Sequence, residues 1–369
     1  MDEKTLAKKR RKKGATTVLM KVAFFTVFVL LGWTMIIPYI AARVIYEAVF
    51  GTRVTPMCNT VTYDDYKDVM NRQKMDFYSG KNKLGAYLYT SKDGKKGKAL
   101  VLVCHGIGCN MDGYLNRTQY FVRKGYDVFT FDMTGTCTSE GKSIYGLNQS
   151  KIDLHNALEF IKSQSRFKDM PVLVYGHSWS GYASANVLNY GHDELAGVAT
   201  LSGFNNTWDT MYFHAQRYVG KLAKLLKPWN ALVERVKFGK DAGGTGVSGI
   251  NKYKGPVLIS HSKDDMTVPY SCSIMVHRDE ITNPQAEFLL FEDRGHTMSR
   301  PREAEKQVNA DLVGKTSEIV KTPKYNTFQY NVDIRYEYST KETVFAIDDE
   351  FMDQVSDFFE RCLQKRANA

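Results

Sequence analysis

The chain has 369 residues, of which 43% are hydrophobic and 12% aromatic; this excludes a disordered chain and leaves room for one large domain plus a tail. The formal charge is +10, but residues 1–21 carry eight Lys/Arg against two Asp/Glu, a net +6, so only +4 remains for everything after them. The body is therefore mildly basic with scattered charges, which argues against a nucleic-acid partner.

Residues 1–21 form a basic segment around Lys8, Lys9, Arg10, Arg11, Lys12 and Lys13, and residues 22–42 contain no charged side chain. About 20 apolar residues at roughly 1.5 Å each cross a hydrocarbon core of about 30 Å, so residues 22–42 read as a transmembrane anchor. Only Arg43 and Arg53 follow the run closely, so the excess of positive charge places the N-terminus in the cytoplasm and the body outside. A cleaved signal peptide is the alternative; the run exceeds the usual signal core, and no small-x-small site follows it. Residues 43–73 read as a polar connector. The six cysteines (Cys58, Cys104, Cys109, Cys137, Cys272, Cys362) form no CxxC pair and no zinc spacing, so no metal is expected.

From residue 74 onward the pattern is that of a folded domain. Met75–Tyr78 and Leu84–Tyr89, separated by Ser79-Gly80-Lys81-Asn82, predict a hairpin. Apolar strands follow at 99–104, 128–131, 172–175, 197–201, 257–259 and 288–291, alternating with helical segments. Strands apolar on both faces predict a mostly parallel sheet with helices on both faces, an α/β fold. Residues 205–254, rich in aromatic and aliphatic side chains and ending in a Gly-rich turn, read as a small helical cap inserted before a later strand. A late insertion spans 301–343, where Phe328, Tyr330, Val332, Ile334, Tyr336 and Tyr338 alternate as a strand with one apolar face. Residues 348–363 place Phe351, Val355, Phe358 and Cys362 on one face of a closing amphipathic helix.

Reactive residue types recur at the ends of these strands. Val172–Tyr175 runs into Gly176-His177-Ser178-Trp179-Ser180-Gly181 and then a helical stretch, the context of a nucleophilic serine on a sharp strand-to-helix turn that needs small neighbours. The earlier strand ends in His105-Gly106-Ile107, so the backbone N–H groups of Ile107 and Trp179 are the candidate oxyanion hole, with His105 as a structural residue. Asp265 follows the strand at 257–259 and is the candidate acid. Asp264 competes with it, and the three-residue step to Val268-Pro269 favours Asp265. His296 follows Gly295 after the last strand and is the candidate base. The order Ser178, Asp265, His296, with gaps of 87 and 31 residues, is a Ser…Asp…His order.

Residues 75–298 with the closing helix resemble α/β-hydrolases of the monoacylglycerol-lipase and serine-aminopeptidase-like group, especially membrane-tethered bacterial members. Asp132-Met133-Thr134-Gly135-Thr136-Cys137-Thr138-Ser139-Glu140-Gly141 resembles the group's D-x-x-G-x-G-x-S-x-G loop, with Cys137 in place of the second glycine, and Ser180 departs from G-x-S-x-G. The resemblance implies the α/β-hydrolase fold, a serine hydrolase needing no cofactor, and a structural role for the Asp132 loop. The apolar cap and anchor favour a lipid-like or acyl ester substrate. An aminopeptidase, which would need an acid such as Glu194, Asp209 or Glu234 to grip a free amine, is the alternative. A catalytically silent tethered binding domain is a third reading.

Overall fold

The computed structural model describes residues 3–55, 61–319 and 340–368; the expected strand at 328–338 lies outside the described residues. Eight strands form the central sheet: β1 (Met70–Lys74), β4 (Ala86–Ser91), β5 (Leu100–Cys104), β6 (Asp127–Phe131), β7 (Val172–His177), β8 (Gly197–Leu201), β9 (Val257–Ser262) and β10 (Ala286–Phe291). Their spatial order is β1-β4-β6-β5-β7-β8-β9-β10. β4 pairs antiparallel with both β1 and β6, and every other pairing is parallel.

Alternation along each inner strand feeds two cores. Leu100, Leu102 and Cys104 join one cluster, with α3 (Gln149–Ser163), α4 (Trp179–Asn186) and α7 (Gly246–Lys252) packed over them. Val101 and Val103 point the other way, onto α2 (Leu115–Arg123) and the C-terminal helix Asp349–Ala367. That helix buries Phe351, Val355, Phe358, Phe359 and Cys362, each large side chain contributing about 1.5–3 kcal/mol of transfer free energy. Asp348 caps it, its carboxylate accepting from the Phe351 amide at 2.9 Å.

Two local departures from the sequence reading have clear causes. The hairpin is a small pair of its own, β2 (Phe77–Ser79) against β3 (Asn82–Leu84). Gly85 separates β3 from β4 because a side chain there would meet Thr138 Oγ1 at 2.1 Å. The end of the polar connector is the edge strand β1, in which Met70 alone is buried and Asn71, Arg72, Gln73 and Lys74 are exposed. A one-sided edge strand carries no apolar alternation, and its polar side chains discourage edge-to-edge pairing.

The N-terminal segment is one helix, α1 (Glu3–Phe50). It is the one described helix long and apolar enough to cross a membrane by length and composition. Its last turns belong to the folded body: Ala42, Tyr46 and Phe50, four residues apart on one stripe, are buried in the core. Tyr46 Oη donates to Glu234 Oε1 at 3.4 Å, and Lys237 pairs with Glu47 at 2.6 Å. Both partners lie on α6 (Lys227–Phe238), which packs against α1.

Glu234 is buried and also accepts hydrogen bonds from Thr207 Oγ1 at 2.8 Å and Asn148 Nδ2 at 3.2 Å. Burial pushes its carboxyl up from 4.5 to about 7 despite these donors. Between those values the unfolded chain has lost the proton that the folded one keeps, so this group's contribution to stability falls as pH rises from about 4.5 to 7. Glu234→Gln is therefore expected to raise the melting temperature at pH 8 relative to pH 5, by an amount equivalent to at most about 3 kcal/mol. Thermal melts at the two pH values check it; equal shifts at both would contradict it.

Candidate active site

Ser178 joins β7 to α4 with φ 62° and ψ −115°, a conformation costly for any residue but glycine. Its neighbours permit the turn. A Cβ on Gly176 would meet the Ser180 carbonyl at 2.2 Å, and one on Gly181 the Leu201 carbonyl at 2.5 Å. Ser180, which stands where the usual motif has glycine, uses its hydroxyl to donate to the His105 carbonyl at the end of β5. The Ser178 amide donates to Leu201 O at 2.8 Å, locking the turn to β8.

The three residues expected from the order of the chain meet in space. His296 Nε2 lies 2.9 Å from Ser178 Oγ, and His296 Nδ1 lies 2.7 Å from Asp265 Oδ2. Asp265 Oδ1 accepts from the Thr267 amide at 2.8 Å and the Val268 amide at 2.9 Å, which is the physical content of the three-residue step to Val268. Burial alone would raise the Asp265 carboxyl; the facing His296, then His261 and the Val268 amide, outweigh it and hold the group below its usual range. Asp264 acts one step away from the imidazole. Its Oδ1 accepts from the Gly295 amide at 2.8 Å, steadying the loop that carries His296.

Ile107, in the turn after β5, and Trp179, the first residue of α4, flank the serine. An opening helical residue has no intrahelical partner for its amide, and the Ile107 amide donates to no backbone carbonyl among the described residues. The Trp179 indole is held separately, Nε1 donating to Leu147 O at 2.7 Å. His105 is structural: Nδ1 lies 2.8 Å from Gly106 O, and Nε2 accepts from the Met133 amide at 3.1 Å. Asp132 in turn accepts from the Met111 amide at 2.9 Å and the Thr138 amide at 3.0 Å, so the Asp132 loop is a brace. Cys137, at φ 36°, takes the second glycine's place in it.

One connection escaped sequence reasoning. The Gly106 amide donates to Tyr114 Oη at 3.0 Å, Tyr114 Oη lies 2.6 Å from His177 Nδ1, and His177 Nε2 lies 3.0 Å from His296 O. Burial, then the facing His296 ring, lowers the His177 pKa far below its ordinary value. A neutral His177 that accepts at Nδ1 and donates at Nε2 completes the chain, tying the Ile107 turn to the His296 loop.

A model of the family described as serine aminopeptidase, S33, matches residues 95–244. The fold recurs in solved structures. An esterase of Pyrococcus furiosus superposes with a TM-score of 0.52 at 17% identity, covering 73% of this chain and 98% of its own. The chain has the α/β-hydrolase fold. The chain is also similar to an acylaminoacyl peptidase of Pyrococcus horikoshii, with a TM-score of 0.47 at 17% identity over 69% of this chain and 42% of that one. An acetyl xylan esterase from Paenibacillus sp. R4 matches with a TM-score of 0.47 at 18% identity over 70% of this chain and 96% of that one. No curated protein matches the sequence.

A cavity at Ser178 and His296 is lined by Gly106, Ile107, Tyr114, Arg117, Arg300, Val344 and Phe345. The last two lie just after the segment expected as a late insertion, 301–343. Residues 205–254 are not in this wall; their α5 (Thr207–Val219) reaches the Asp265 loop through His214, whose Nε2 lies 3.1 Å from Thr267 O. Elsewhere His155, Glu159 and His192 bring possible ligand atoms within 4.8 Å of one another. There, His155 Nδ1 and His192 Nε2 are already hydrogen-bonded to each other at 2.8 Å.

Proposed function

We propose that this hydrolase cleaves carboxylic esters, lipid-like or acyl, with Ser178 as nucleophile, His296 as general base and Asp265 as the acid that orients it. The observation that carries the reading is the unbroken hydrogen-bonded chain from Ser178 Oγ through His296 to Asp265 Oδ2. His296 Nε2 takes the Ser178 proton as Oγ bonds to the ester carbonyl carbon; the negative charge that forms on the carbonyl oxygen faces the Ile107 and Trp179 amides. Collapse breaks the carbon–oxygen bond, and His296 returns the proton to the departing alcohol. Water, deprotonated by His296, then attacks the acyl-enzyme, releasing the acid and restoring Ser178. Asp265 keeps the imidazole in the tautomer that accepts at Nε2 and stabilises its charged form.

Ester cleavage is favoured over amine-end peptide cleavage by the charges around the cavity. Glu194 lies beside His192 at 3.0 Å, Asp209 sits at the start of α5 with Asn206, and Glu234 is enclosed by Thr207, Asn148 and Tyr46. None of the three lines the cavity, whereas Arg117 and Arg300 do. The match to the serine aminopeptidase family keeps the peptidase as the rival, and the intact chain of contacts disfavours a silent binding domain. Purified body without residues 1–41 is expected to turn over short p-nitrophenyl esters faster than aminoacyl p-nitroanilides; the reverse ranking would defeat the esterase reading.

We further propose that residues 22–42 tether the enzyme to a membrane, with the basic segment 1–21 cytoplasmic and the body outside. The burial of Tyr46 and Phe50 at the helix end supports a retained helix, because a leader that is cut away need not pack into the core. Tyr218, Val219, Leu222 and Leu225 are exposed beside Lys221 and Lys224, an apolar and basic surface of the kind that lies against headgroups.

A further inference from the structure

Arg117 projects from α2 into the cavity wall and is only 4% exposed. Its Nε donates to Ser299 Oγ at 2.9 Å, and its Nη1 to Asn116 Oδ1 at 2.8 Å and, at the limit of contact, to Gly113 O at 3.5 Å. The guanidinium carbon lies 4.8 Å from the centre of the Tyr114 ring, and the Tyr175 hydroxyl is a further neighbour. All of these partners are neutral. Neighbouring arginines are paired: Arg300 with Glu305 and Arg294 with Asp348. Among the described residues no carboxylate forms an ion pair with Arg117.

A guanidinium out of water without a counter-charge is costly, by several kcal/mol. Neutral acceptors and an aromatic face recover part of that, and the group remains a cation facing the cavity that holds Ser178. An anion arriving there meets a pre-oriented, weakly hydrated donor able to take a carboxylate or phosphate side-on. Bulk salt screens such a site little, because water is largely excluded from it.

We infer that Arg117 docks an anionic group carried by the substrate, so that the enzyme's substrates are acidic esters, bearing a carboxylate or phosphate near the scissile bond. This rests on the serine-hydrolase reading of Ser178 and narrows it. The anion can belong to the acyl part or to the leaving alcohol, and both place the same chemistry against Arg117.

The test compares kcat/KM for matched esters. In the acyl arm, p-nitrophenyl hemiadipate is set against p-nitrophenyl hexanoate; in the alcohol arm, 4-carboxyphenyl butyrate is set against phenyl butyrate. In one arm the wild type is expected to favour the anionic ester by about 10- to 100-fold, the range of one charge-assisted hydrogen bond, with most of the gain in KM. Arg117→Met is expected to erase that preference, and Arg117→Lys to retain part of it. Preference for the neutral ester in both arms would overturn the inference, as would an Arg117→Met variant that loses equal factors on charged and neutral esters, the mark of a purely structural arginine. Should the variants not fold, the wild-type ratios decide alone. Fluorophosphonate labelling separates the two levels. A wild type that neither labels nor cleaves any ester defeats the hydrolase reading and the inference together, whereas a labelled enzyme preferring neutral esters defeats only the inference.

Discussion

Replacing Ser178 with alanine is expected to lower kcat by about 10⁶-fold on any ester the enzyme accepts, with KM and the melting temperature little changed. Among the described residues the side chain makes one hydrogen bond, to His296 Nε2, and the strained turn around it is held by backbone, through the Ser178 amide on Leu201 O and the Tyr182 amide on Ser178 O at 2.9 Å. Removing the hydroxyl therefore takes away the nucleophile and little of the fold. The activity left over would come from binding and the Ile107 and Trp179 amides alone. Steady-state kinetics with a matched thermal melt checks both halves. A variant with a tenth of wild-type kcat would show that another group attacks the substrate.

The second large effect separates two adjacent carboxylates. Asp265→Asn is expected to cost about 10⁴-fold in kcat, because an amide facing His296 Nδ1 favours the tautomer that cannot accept the serine proton. Asp264→Asn is expected to cost no more than about 100-fold, since Asp264 touches the Gly295 amide and Ser262 rather than the imidazole, and its loss only loosens the aim of the His296 loop. Side-by-side kinetics of the two variants decides the assignment. If Asp264→Asn were the more damaging, the acid would be Asp264.

The strands ahead of the candidate nucleophile and base announce themselves in sequence because each is a mostly apolar run leading into a turn or loop that carries a reactive residue. Val172–His177 ahead of Ser178 and Ala286–Phe291 ahead of His296 are cases in point. The preference for Asp265 over Asp264 rests in the sequence on the three-residue step to Val268-Pro269, and the fold places the Val268 amide on Asp265 Oδ1 at 2.9 Å. Other features depend on contacts that no local pattern encodes. β1 is polar on all but one position, so its pairing with β4 is visible only once β4 exists. Tyr114 and His177 look like ordinary aromatic and loop residues until the chain from Gly106 to His296 brings them together. Arg117 is the clearest case. A charged residue within a short helix reads as solvated, and Asn116-Arg117-Thr118 suggests at most a glycosylation sequon. In the fold Asn116 is buried, its Nδ2 donating to Phe345 O at 2.7 Å, and Arg117 is enclosed beside it. The tail of α1 is similar: Ala42, Tyr46 and Phe50 continue an apolar run whose exposed part is uniform, so their docking against α6 leaves no separate signal.

The most direct measurement is covalent. Incubating the purified enzyme with a fluorophosphonate and mapping the adduct by peptide mass spectrometry is expected to find one modified residue, Ser178, with His296→Ala labelling far more slowly and Ser178→Ala not at all. An adduct on any other residue, or labelling that persists in Ser178→Ala, would contradict the assignment of Ser178 as the nucleophile.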